Sequence, residues 1–462
     1  MLRSAVAGST ALLVFSCGLA SAFAPKGARL LDAGWVHSSG ASSLVVHSDE
    51  PLRHRVASVP GLLILDVWPL VGAPTHWEPV RVGPVLAWSQ QTLYPGVVRF
   101  TVWVRGPVRY KVFRRAEPHK LRLDVLPAWR ARVRLPPSVA YRKLRWATGA
   151  GSARVHVVTV DLKDPRLSVR VALGAGTVKD REPAAEATTR LGGVAAINGG
   201  FFAPRNGQPL GVLVVDGRLV SAPIPRRSAF AILKDGRPYI GPVRWRGWIE
   251  TPTARLPVSA VNRPPRVGGA AVYTPEYGPL TPPHPLAVVV RRGRVVSTAS
   301  GRVPIPPDGF VVASPASSRH RVRETMRPDT PAEFRAALDP PGVAHALGGG
   351  PRLVREGRVY VPYRWEGFRP SLYGRRAARS AVALTAHPKL LLVAVEASRG
   401  DSTGMTLPEL ARTLVELGAQ DAVNLDGGGS STLVVGGEVV NRPQGSQRAV
   451  PSLLLVRYDP QD

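Results

Sequence analysis

The chain has 462 residues, which is enough for two or three domains that each bury a core. Its formal net charge is +29, carried mostly by arginines, and such a surface attracts polyanions. The arginines are scattered and are not clustered with interleaved aromatic residues, which argues against nucleic-acid binding. Wall polyanions or acidic polysaccharides fit better, although arginine-rich codon usage combined with solubility explains the charge equally well.

The first 24 residues have the pattern of an export signal. Arg3 precedes an apolar stretch from Ala11 to Leu19, and Ala22-Phe23-Ala24 forms a small-x-small cleavage site. We therefore expect a periplasmic, envelope-associated or secreted protein. The single cysteine, Cys17, lies within this signal, so the mature chain is expected to have neither a disulfide nor a cysteine-ligated metal. Acylation of Cys17 in a lipoprotein stays open.

From Trp35 to about Leu126, short β-branched runs alternate with turns, which predicts strands. A sequence pattern occurs twice in this region, in runs that end in Asp66-Val67 and Asp124-Val125. This repeat predicts two small sheets that face each other. The runs concerned are Ser43 to Val46, Leu62 to Val67, Gly83 to Trp88, Pro95 to Phe100 and Leu121 to Val125. Together they resemble an AMIN domain, which implies a small β-sandwich over residues 35–127 that binds peptidoglycan or another wall polymer.

A stretch rich in proline and arginine, residues 128–151, is predicted to be a linker. Over residues 152–459, strands alternate with few helices, which predicts an α+β domain with a mixed sheet. One helix is well marked: Thr406 and Glu409 form a capping box, leucines repeat on one face, and Gly418 ends it.

Two segments of this domain share the same order of features. Leu191-Gly192 leads through a short apolar strand to Asn198-Gly199-Gly200, and Leu417-Gly418 leads in the same way to the turn that begins at Asn424. A buried strand fixes a polar side chain at its end, and glycine lets a ligand approach the backbone. The sequence therefore predicts that both turns line one cleft.

The second turn runs through Asp426 to three glycines and three hydroxyl residues, whose backbone amides could bind an anion. It is not a nucleotide-binding P-loop, because no lysine follows the glycines. It is not a serine-hydrolase elbow either, because the Gly-x-Ser-x-Gly spacing is absent.

Six ordered motifs carry a second resemblance: residues 196–202, 348–354, 379–383, 404–411, 424–432 and 441–451. In this order they resemble the phosphodiester glycosidase family, in its bacterial, exopolysaccharide-related branch. The resemblance covers most of residues 140–458 and implies hydrolysis at the anomeric carbon of a sugar 1-phosphodiester. The expected substrate is a phosphate-containing polysaccharide or glycoconjugate.

The resemblance and the chemistry together assign roles to residues. Such hydrolysis usually needs one carboxylate at the anomeric centre and sometimes a second as an acid. Asp426 is expected to act as nucleophile or base, and Asn198 and Asn424 to bind sugar hydroxyls. Two arginines, Arg379 and Arg448, are expected to bind phosphate. The remaining predicted substrate-binding residues are Gly199, Gly200, Gly427, Gly428, Ser430, Ser431, Thr432 and Asn441.

One segment departs from the family pattern. Where Val-Asp-Gly-Arg is usual, this chain has Val395-Glu396-Ala397-Ser398-Arg399. Glu396 is therefore taken as the second catalytic candidate, with a longer side chain than the usual aspartate. The replacement also leaves open an alternative function, a non-catalytic cell-wall polysaccharide-binding protein that uses the same cleft.

No cofactor is evident in the sequence, and dependence on a metal stays open. His320 and His345 have no partner spacing that suggests a metal site, so no residue is assigned to one. Asn262 and Arg227 lie in segments of weaker family similarity and are open candidates for the cleft.

Overall fold

The computed structural model describes residues 27–459 apart from short gaps at 39–40, 60, 83, 105–107, 116–118, 128–133, 266–268, 399–400, 443 and 446. The predicted export signal and Cys17 lie outside the described residues. Strands dominate the described part of the chain, in several separate sheets, and its helices are few and short. None of those helices is long and apolar enough to span a membrane.

The N-terminal region consists of two five-stranded sheets. One has the order β5-β1-β2-β10-β9 and the other β3-β4-β8-β7-β6. The strands are β1 Ala28–Ser38, β2 Ala41–Ser48, β3 Arg53–Val59, β4 Leu62–Trp68, β5 Leu70–Val71, β6 His76–Val82, β7 Val85–Tyr94, β8 Val97–Val104, β9 Val108–Arg115 and β10 Lys120–Pro127.

One hydrophobic core lies between these two sheets. Along β4, Leu63, Leu65 and Val67 are buried and alternate with more exposed residues, as expected of a strand with one covered face. Leu44 of the first sheet and Phe100 of the second belong to the same core. The region therefore has the predicted form of a β-sandwich, with its first strand beginning at Ala28, ahead of the predicted residue 35.

Part of the predicted linker forms a strand. Residues 139–148 form a strand that pairs antiparallel with residues 151–161, from Val139 opposite Val160 to Thr148 opposite Gly151. The alternation of apolar residues in this stretch is enough to add a strand to the sheet, and the prolines before it together with its own arginines conceal that pattern. The prediction of a linker reaching residue 151 was therefore wrong from Val139 onward.

The rest of the chain contains 26 described strands and four α-helices, most of them short. The helices are α1 Ala184–Arg190, α2 Arg319–Thr325, α3 Pro370–Gly374 and α4 Leu407–Glu416. The strands are β11 Val139–Thr148, β12 Gly151–Asp161, β13 Leu167–Leu173, β14 Gly193–Asn198, β15 Leu213–Val215, β16 Arg218–Ser221, β17 Ser228–Leu233, β18 Pro238–Pro242, β19 Arg244–Glu250, β20 Arg255–Val261, β21 Ala270–Tyr273, β22 His284–Arg291, β23 Arg294–Gly301, β24 Gly309–Ser314, β25 Glu333–Asp339, β26 Val343–Gly348, β27 Arg352–Arg355, β28 Arg358–Val359, β29 Arg379–Thr385, β30 Lys389–Val395, β31 Ala397–Ser398, β32 Ser402–Thr403, β33 Ala419–Asn424, β34 Leu433–Val435, β35 Glu438–Val439 and β36 Ser452–Tyr458.

Four larger sheets organise these strands. Their orders are β11-β12-β30-β29-β33-β27-β28, β13-β36-β14-β34-β35, β16-β15-β26-β17-β18 and β23-β22-β24-β21-β20-β19-β25. The first three share one core, which includes Val382, Ile197 and Phe230. The described pairings here are antiparallel except for β20 with β21. The predicted α+β domain is thus mostly β, with a single parallel pair in one sheet.

Helix α4 supports the site from outside this core. It begins as predicted: the Thr406 side chain accepts a hydrogen bond from the Glu409 amide, and the Glu409 carboxylate accepts one from the Thr406 amide. Its buried face, which includes Leu410 and Leu414, packs on the sheet that contains β29 and β33. Strand β33 is thereby covered on both faces, and the turn that follows it leaves from a rigid element.

Candidate active site

The two glycine-rich turns are in contact. Strand β14 ends at Asn198 and strand β33 ends at Asn424, in two different sheets. The Asp426 amide donates to the Gly199 carbonyl over 3.3 Å, and the Asn198 side-chain amide donates to the Asp426 carbonyl over 2.8 Å. The structure thus brings together the turns that the sequence predicted to share a cleft.

Asn198 connects these turns from the inside and is not exposed to a ligand. Its side chain is fully buried. Its amide nitrogen donates to the Gly199 and Asp426 carbonyls, while its oxygen accepts from the Ser380 hydroxyl and the Thr432 amide. Because these bonds occupy the side chain, the predicted role of Asn198 in binding sugar hydroxyls was wrong.

Two other predicted substrate-binding side chains are also buried. The Asn424 amide donates to the Gly350 carbonyl over 2.9 Å. Asn441 accepts from the Leu433 amide over 2.7 Å and donates to the Ser431 carbonyl over 2.8 Å. Both asparagines therefore fix backbone segments, and the expectation that they contact sugar is corrected in the same way.

A third glycine-rich segment, Gly348-Gly349-Gly350, completes the packing. The Gly350 amide donates to the Asn424 carbonyl over 2.8 Å. A Cβ atom on Gly200 would overlap the Gly348 carbonyl oxygen, and one on Gly199 would overlap Ser452. Gly199 and Gly200 are buried, so their glycine character serves backbone packing rather than the ligand approach that the sequence predicted.

Asp426 is the carboxylate at the meeting point of the turns. It is partly exposed, whereas the preceding Leu425 is fully buried. Burial raises the pKa of the Asp426 carboxyl to about 6, against the opposing effects of a hydrogen bond from Ser430, the charge of Arg448 and the Gly427 amide. A partly accessible carboxylate with a pKa near neutrality is suited to acid–base or nucleophilic chemistry.

Most polar groups that follow Asp426 are occupied. The amides of Gly427 and Gly428 donate to the Asp426 carboxylate and the Ala378 carbonyl, and those of Ser430 and Ser431 donate within the turn. The Ser431 hydroxyl donates to the Arg379 carbonyl, and the side chains of Ser431 and Thr432 are buried. The predicted anion-binding row of amides and hydroxyls is therefore not free, and Ser430 is the hydroxyl directed toward Asp426.

The two predicted phosphate-binding arginines lie in different surroundings. Arg448 is exposed, and its guanidinium donates to the Ser430 hydroxyl over 3.4 Å, close enough to Asp426 to lower its pKa. Arg379 is buried, and its guanidinium donates to the carbonyls of Met405, Leu372 and Arg375. Arg379 thus holds the end of helix α3, and its predicted phosphate contact was wrong.

Glu396 lies at the end of β30, two strands away from β33, which corresponds to roughly 10 Å between the strands. It is buried and accepts hydrogen bonds from His156 and from the Arg442 amide, each over 2.9 Å. Burial lowers the pKa of His156, and the neighbouring Glu396 opposes this shift. Through these bonds Glu396 fixes the backbone at Arg442. This position differs from the direct catalytic role that the sequence predicted. Arg399 lies outside the described residues.

The structure adds residues that the sequence did not assign. Glu366 is buried and accepts from the Ser228 amide, the Ser228 hydroxyl and the Arg352 amide, each over 2.9 Å. Burial raises its pKa, and these donors together with Arg227 oppose the shift. Glu366 lies outside the matched motifs and has no pattern of its own, so only the folded chain identifies it.

An aromatic pair and an arginine lie beside the glycine-rich segments. The rings of Phe201 and Phe368 are 5.5 Å apart, and the Arg227 guanidinium lies 4.3 Å from the Phe368 ring centre. The buried Arg227 Nε has no hydrogen-bond partner among the described residues, and burial lowers the Arg227 pKa. Arg227, an open candidate from the sequence, is therefore a cation with unused donor capacity near the site.

Asn262, the other open candidate, is buried. Its side chain donates to the Val220 carbonyl and exchanges hydrogen bonds with Thr274. It fixes a turn with a positive φ of 53°, which asparagine tolerates, and does not face the site. Among the residues that the structure describes, no cluster of three or more His, Cys, Asp or Glu side chains could hold a metal ion.

Comparisons with known proteins agree with part of the sequence interpretation. Residues 266–457 match the family model of the phosphodiester glycosidases. The match covers less than half of the chain; it includes Asp426 and Arg448 and excludes the Asn198 turn. No curated protein matches the chain significantly.

Three solved structures are similar to the chain. A hypothetical protein from Synechocystis has a TM-score of 0.63 at 22% identity, over 93% of this chain and 80% of that protein. A protein of Burkholderia pseudomallei with the provisional name of an exported protein has a TM-score of 0.58 at 20% identity, over 88% and 96%. The catalytic domain of zebrafish N-acetylglucosamine-1-phosphodiester alpha-N-acetylglucosaminidase has a TM-score of 0.41 at 19% identity, over 71% and 86%. The first two show that the fold recurs over most of the chain.

The close approach of Gly200 to Gly348 predicts a stability effect. Gly200→Ala should lower the free energy of unfolding by about 1–3 kcal/mol, because the added methyl group overlaps a carbonyl oxygen in a packed region. Gly374→Ala is the matched control, since a Cβ there meets no atom within 4 Å. Denaturant unfolding of both variants checks this, and equal stability of the two would contradict the proposed packing.

The raised pKa of Asp426 predicts a second stability effect. The folded state holds the Asp426 proton more tightly than the unfolded state, so stability is lost as the pH rises from about 4 through about 6. Asp426→Asn removes this loss and should raise the free energy of unfolding at pH 7.5 by on the order of 1–3 kcal/mol. The gain should shrink toward pH 4. Unfolding at both pH values, with Asp421→Asn as control, measures it, and a pH-independent difference would contradict the prediction.

Proposed function

We propose that this chain hydrolyses a sugar 1-phosphodiester at the bond between the anomeric carbon and the phosphate oxygen. The observation that carries the proposal is the Asp426 carboxyl, partly exposed where two glycine-rich turns meet, with a pKa of about 6 and Arg448 beside it. The match of residues 266–457 to phosphodiester glycosidases supports the same reaction class.

The chemistry requires little beyond these groups. Attack at the anomeric carbon breaks its bond to oxygen, and that oxygen leaves on the phosphate as a phosphomonoester. Because a phosphate is a good leaving group, no strong general acid is needed. Above pH 6, Asp426 is mainly ionised and can either attack the anomeric carbon or take a proton from the attacking water.

Two cations are suited to the phosphate. Arg448 is exposed next to the Ser430 hydroxyl, and Arg227 has an unpaired Nε held against Phe368. Guanidinium groups bind phosphate oxygens through paired N–H donors. We assign Arg448 and Arg227 to the phosphate in place of Arg379, which is buried and whose Nε and Nη2 donate to backbone carbonyls.

Glu396 has a supporting role in this proposal. Its bonds to His156 and to the Arg442 amide position the segment whose Asn441 donates to Ser431. The exchange of the usual aspartate for glutamate therefore leaves the Asp426 carboxyl in place. This favours hydrolysis over the alternative in which the cleft only binds polysaccharide.

The test is turnover of a panel of sugar 1-phosphodiesters by the full chain. Asp426→Asn should lower kcat/KM by about 10²–10⁴-fold, because it removes the reacting carboxylate. For the unmodified chain, kcat/KM should rise about tenfold per pH unit below pH 6 and level off above it. Release of phosphomonoester, followed over pH 4–9, measures both effects.

A control and an isotope experiment make the test specific. Asp421 lies on β33, the strand that leads to the Asp426 turn, and pairs with Arg352, so Asp421→Asn should retain activity. In water labelled with oxygen-18, label must enter the sugar and not the phosphate. Label in the phosphate, or turnover unaffected by Asp426→Asn, would overturn the mechanism.

We further propose that the protein is exported and that its N-terminal β-sandwich binds peptidoglycan or a related wall polymer. The signal-like N-terminus and the similar protein of Burkholderia pseudomallei with an exported name support export. Exposed aromatic side chains on the second sheet, Trp77 and Tyr94, are 61% and 65% exposed and offer surfaces for sugar rings.

Cosedimentation of the full chain with purified peptidoglycan tests this role. The double variant Trp77→Ala, Tyr94→Ala should reduce the bound fraction several-fold, because the aromatic contact surface is lost. Tyr360→Ala, an exposed aromatic residue outside the sandwich, should not. Equal binding by all three proteins would contradict the assignment.

A further inference from the structure

A groove of about 430 Å³ lies beyond the glycine-rich segments, on the side of Arg227. Its polar and aromatic lining consists of Trp245, Trp365, Arg226, Arg244, Arg263 and Ser259. We call it the tryptophan groove. Its size is that of a site for a small ligand or for one or two sugar rings.

The tryptophan groove combines aromatic faces with cations. Trp365 is 55% exposed, and the Arg226 guanidinium lies 5.9 Å from its ring centre. Arg263 is held in place by the Pro209 carbonyl and the Ser221 hydroxyl. No carboxylate is among the described residues that line the groove, and although Arg244 pairs with Asp339 over 3.7 Å, the lining carries more positive than negative charge.

A second groove, of about 730 Å³, adjoins the first, because Trp245 and Ser259 line both. It adds Trp248, over whose ring Arg255 lies at 5.5 Å. The Trp245 ring covers Gly247 so closely that a Cβ there would overlap it. Together the two grooves present three tryptophans and several arginines along strand β19 and its neighbours.

Two residues that line the tryptophan groove, Arg226 and Trp365, directly precede residues that pack beside the glycine-rich segments. Arg226 precedes Arg227, which stacks on Phe368, and Trp365 precedes Glu366, which fixes Ser228 and the Arg352 amide.

We propose that the tryptophan groove binds an acidic oligosaccharide, with sugar rings on the tryptophan faces and acidic groups on the arginines. Aromatic faces contact the C–H faces of sugars, and arginine forks bind carboxylate or phosphate. Tryptophan with arginine also suits single-stranded nucleic acid. The adjacent site, which we assign to a sugar phosphodiester, favours the saccharide. The binding itself does not depend on hydrolysis.

The experiment measures binding of hexagalacturonate to the full chain by calorimetry, in an Asp426→Asn background at physiological salt. Trp365→Ala and Arg226→Ala should each weaken binding at least tenfold, and Trp365→Phe should restore most of the Trp365 loss. Because Trp365 and Arg226 are exposed, these variants are expected to fold. Arg412→Ala, an exposed arginine on helix α4, is the matched charge control and should bind unchanged.

Three results would overturn the proposal. The first is absence of binding. The second is equal weakening by Arg412→Ala, which would indicate attraction by the net charge alone. The third is tighter binding of oligothymidylate than of hexagalacturonate.

Turnover of a small sugar phosphodiester by Trp365→Ala should match that of the unmodified chain. A chain inactive on every phosphodiester would contradict the proposed function and leave this binding result intact.

Discussion

The side chain of Asn198 is the connection on which the site depends. It lies where a strand of one sheet ends against a strand end of another, and it bonds to backbone or side-chain atoms of Gly199, Ser380, Asp426 and Thr432. A buried amide satisfied at both ends is directional, and leaving its partners unpaired costs about 1–3 kcal/mol each. Asn198 thereby fixes the distance between the two turns.

Glycine makes this connection possible, and the connection in turn contributes to the raised pKa of Asp426. Three glycine-rich segments pack backbone against backbone, with no space for a Cβ on Gly200. Asp426 lies among these closely packed groups and is partly desolvated, while part of its surface stays exposed. The raised pKa follows from that partial desolvation, so the same contacts that order the turns also adjust the carboxyl.

The sequence predicted the positions of these elements better than the directions of their side chains. Helix α4 was predicted correctly from its capping box and leucine face, because both signals are local. The pairing of the two turns followed from their shared order of features. Arg379 was assigned wrongly because the sequence does not show that it begins β29 on the face toward Met405 and away from the turn. Asn198 was assigned wrongly because an asparagine before glycines has the same pattern whether it faces a ligand or the interior.

Glu366 was not identified from the sequence for a different reason. Glu366 follows Trp365 in an irregular segment, and its partners Ser228 and Arg352 are distant in sequence. Contacts between residues that are distant in sequence produce no periodic pattern of residue types, so the sequence alone does not reveal them. The prediction of a linker over residues 128–151 failed from Val139 onward for the opposite reason, since the prolines before β11 outweighed a true strand pattern within it.

The proposed reaction requires an arginine beside Asp426 for charge balance. A phosphodiester carries one negative charge, and at about 5 Å from an ionised carboxylate it meets a repulsion of about 3 kcal/mol at an effective dielectric constant of 20. That repulsion alone would raise the pKa of Asp426 further and leave it protonated at neutral pH. A guanidinium at similar distance offsets the repulsion, and Arg448 already lowers the pKa of Asp426 in the free protein. In the proposed reaction, an anionic substrate and an ionised Asp426 can therefore coexist only while a cation stays within reach of both.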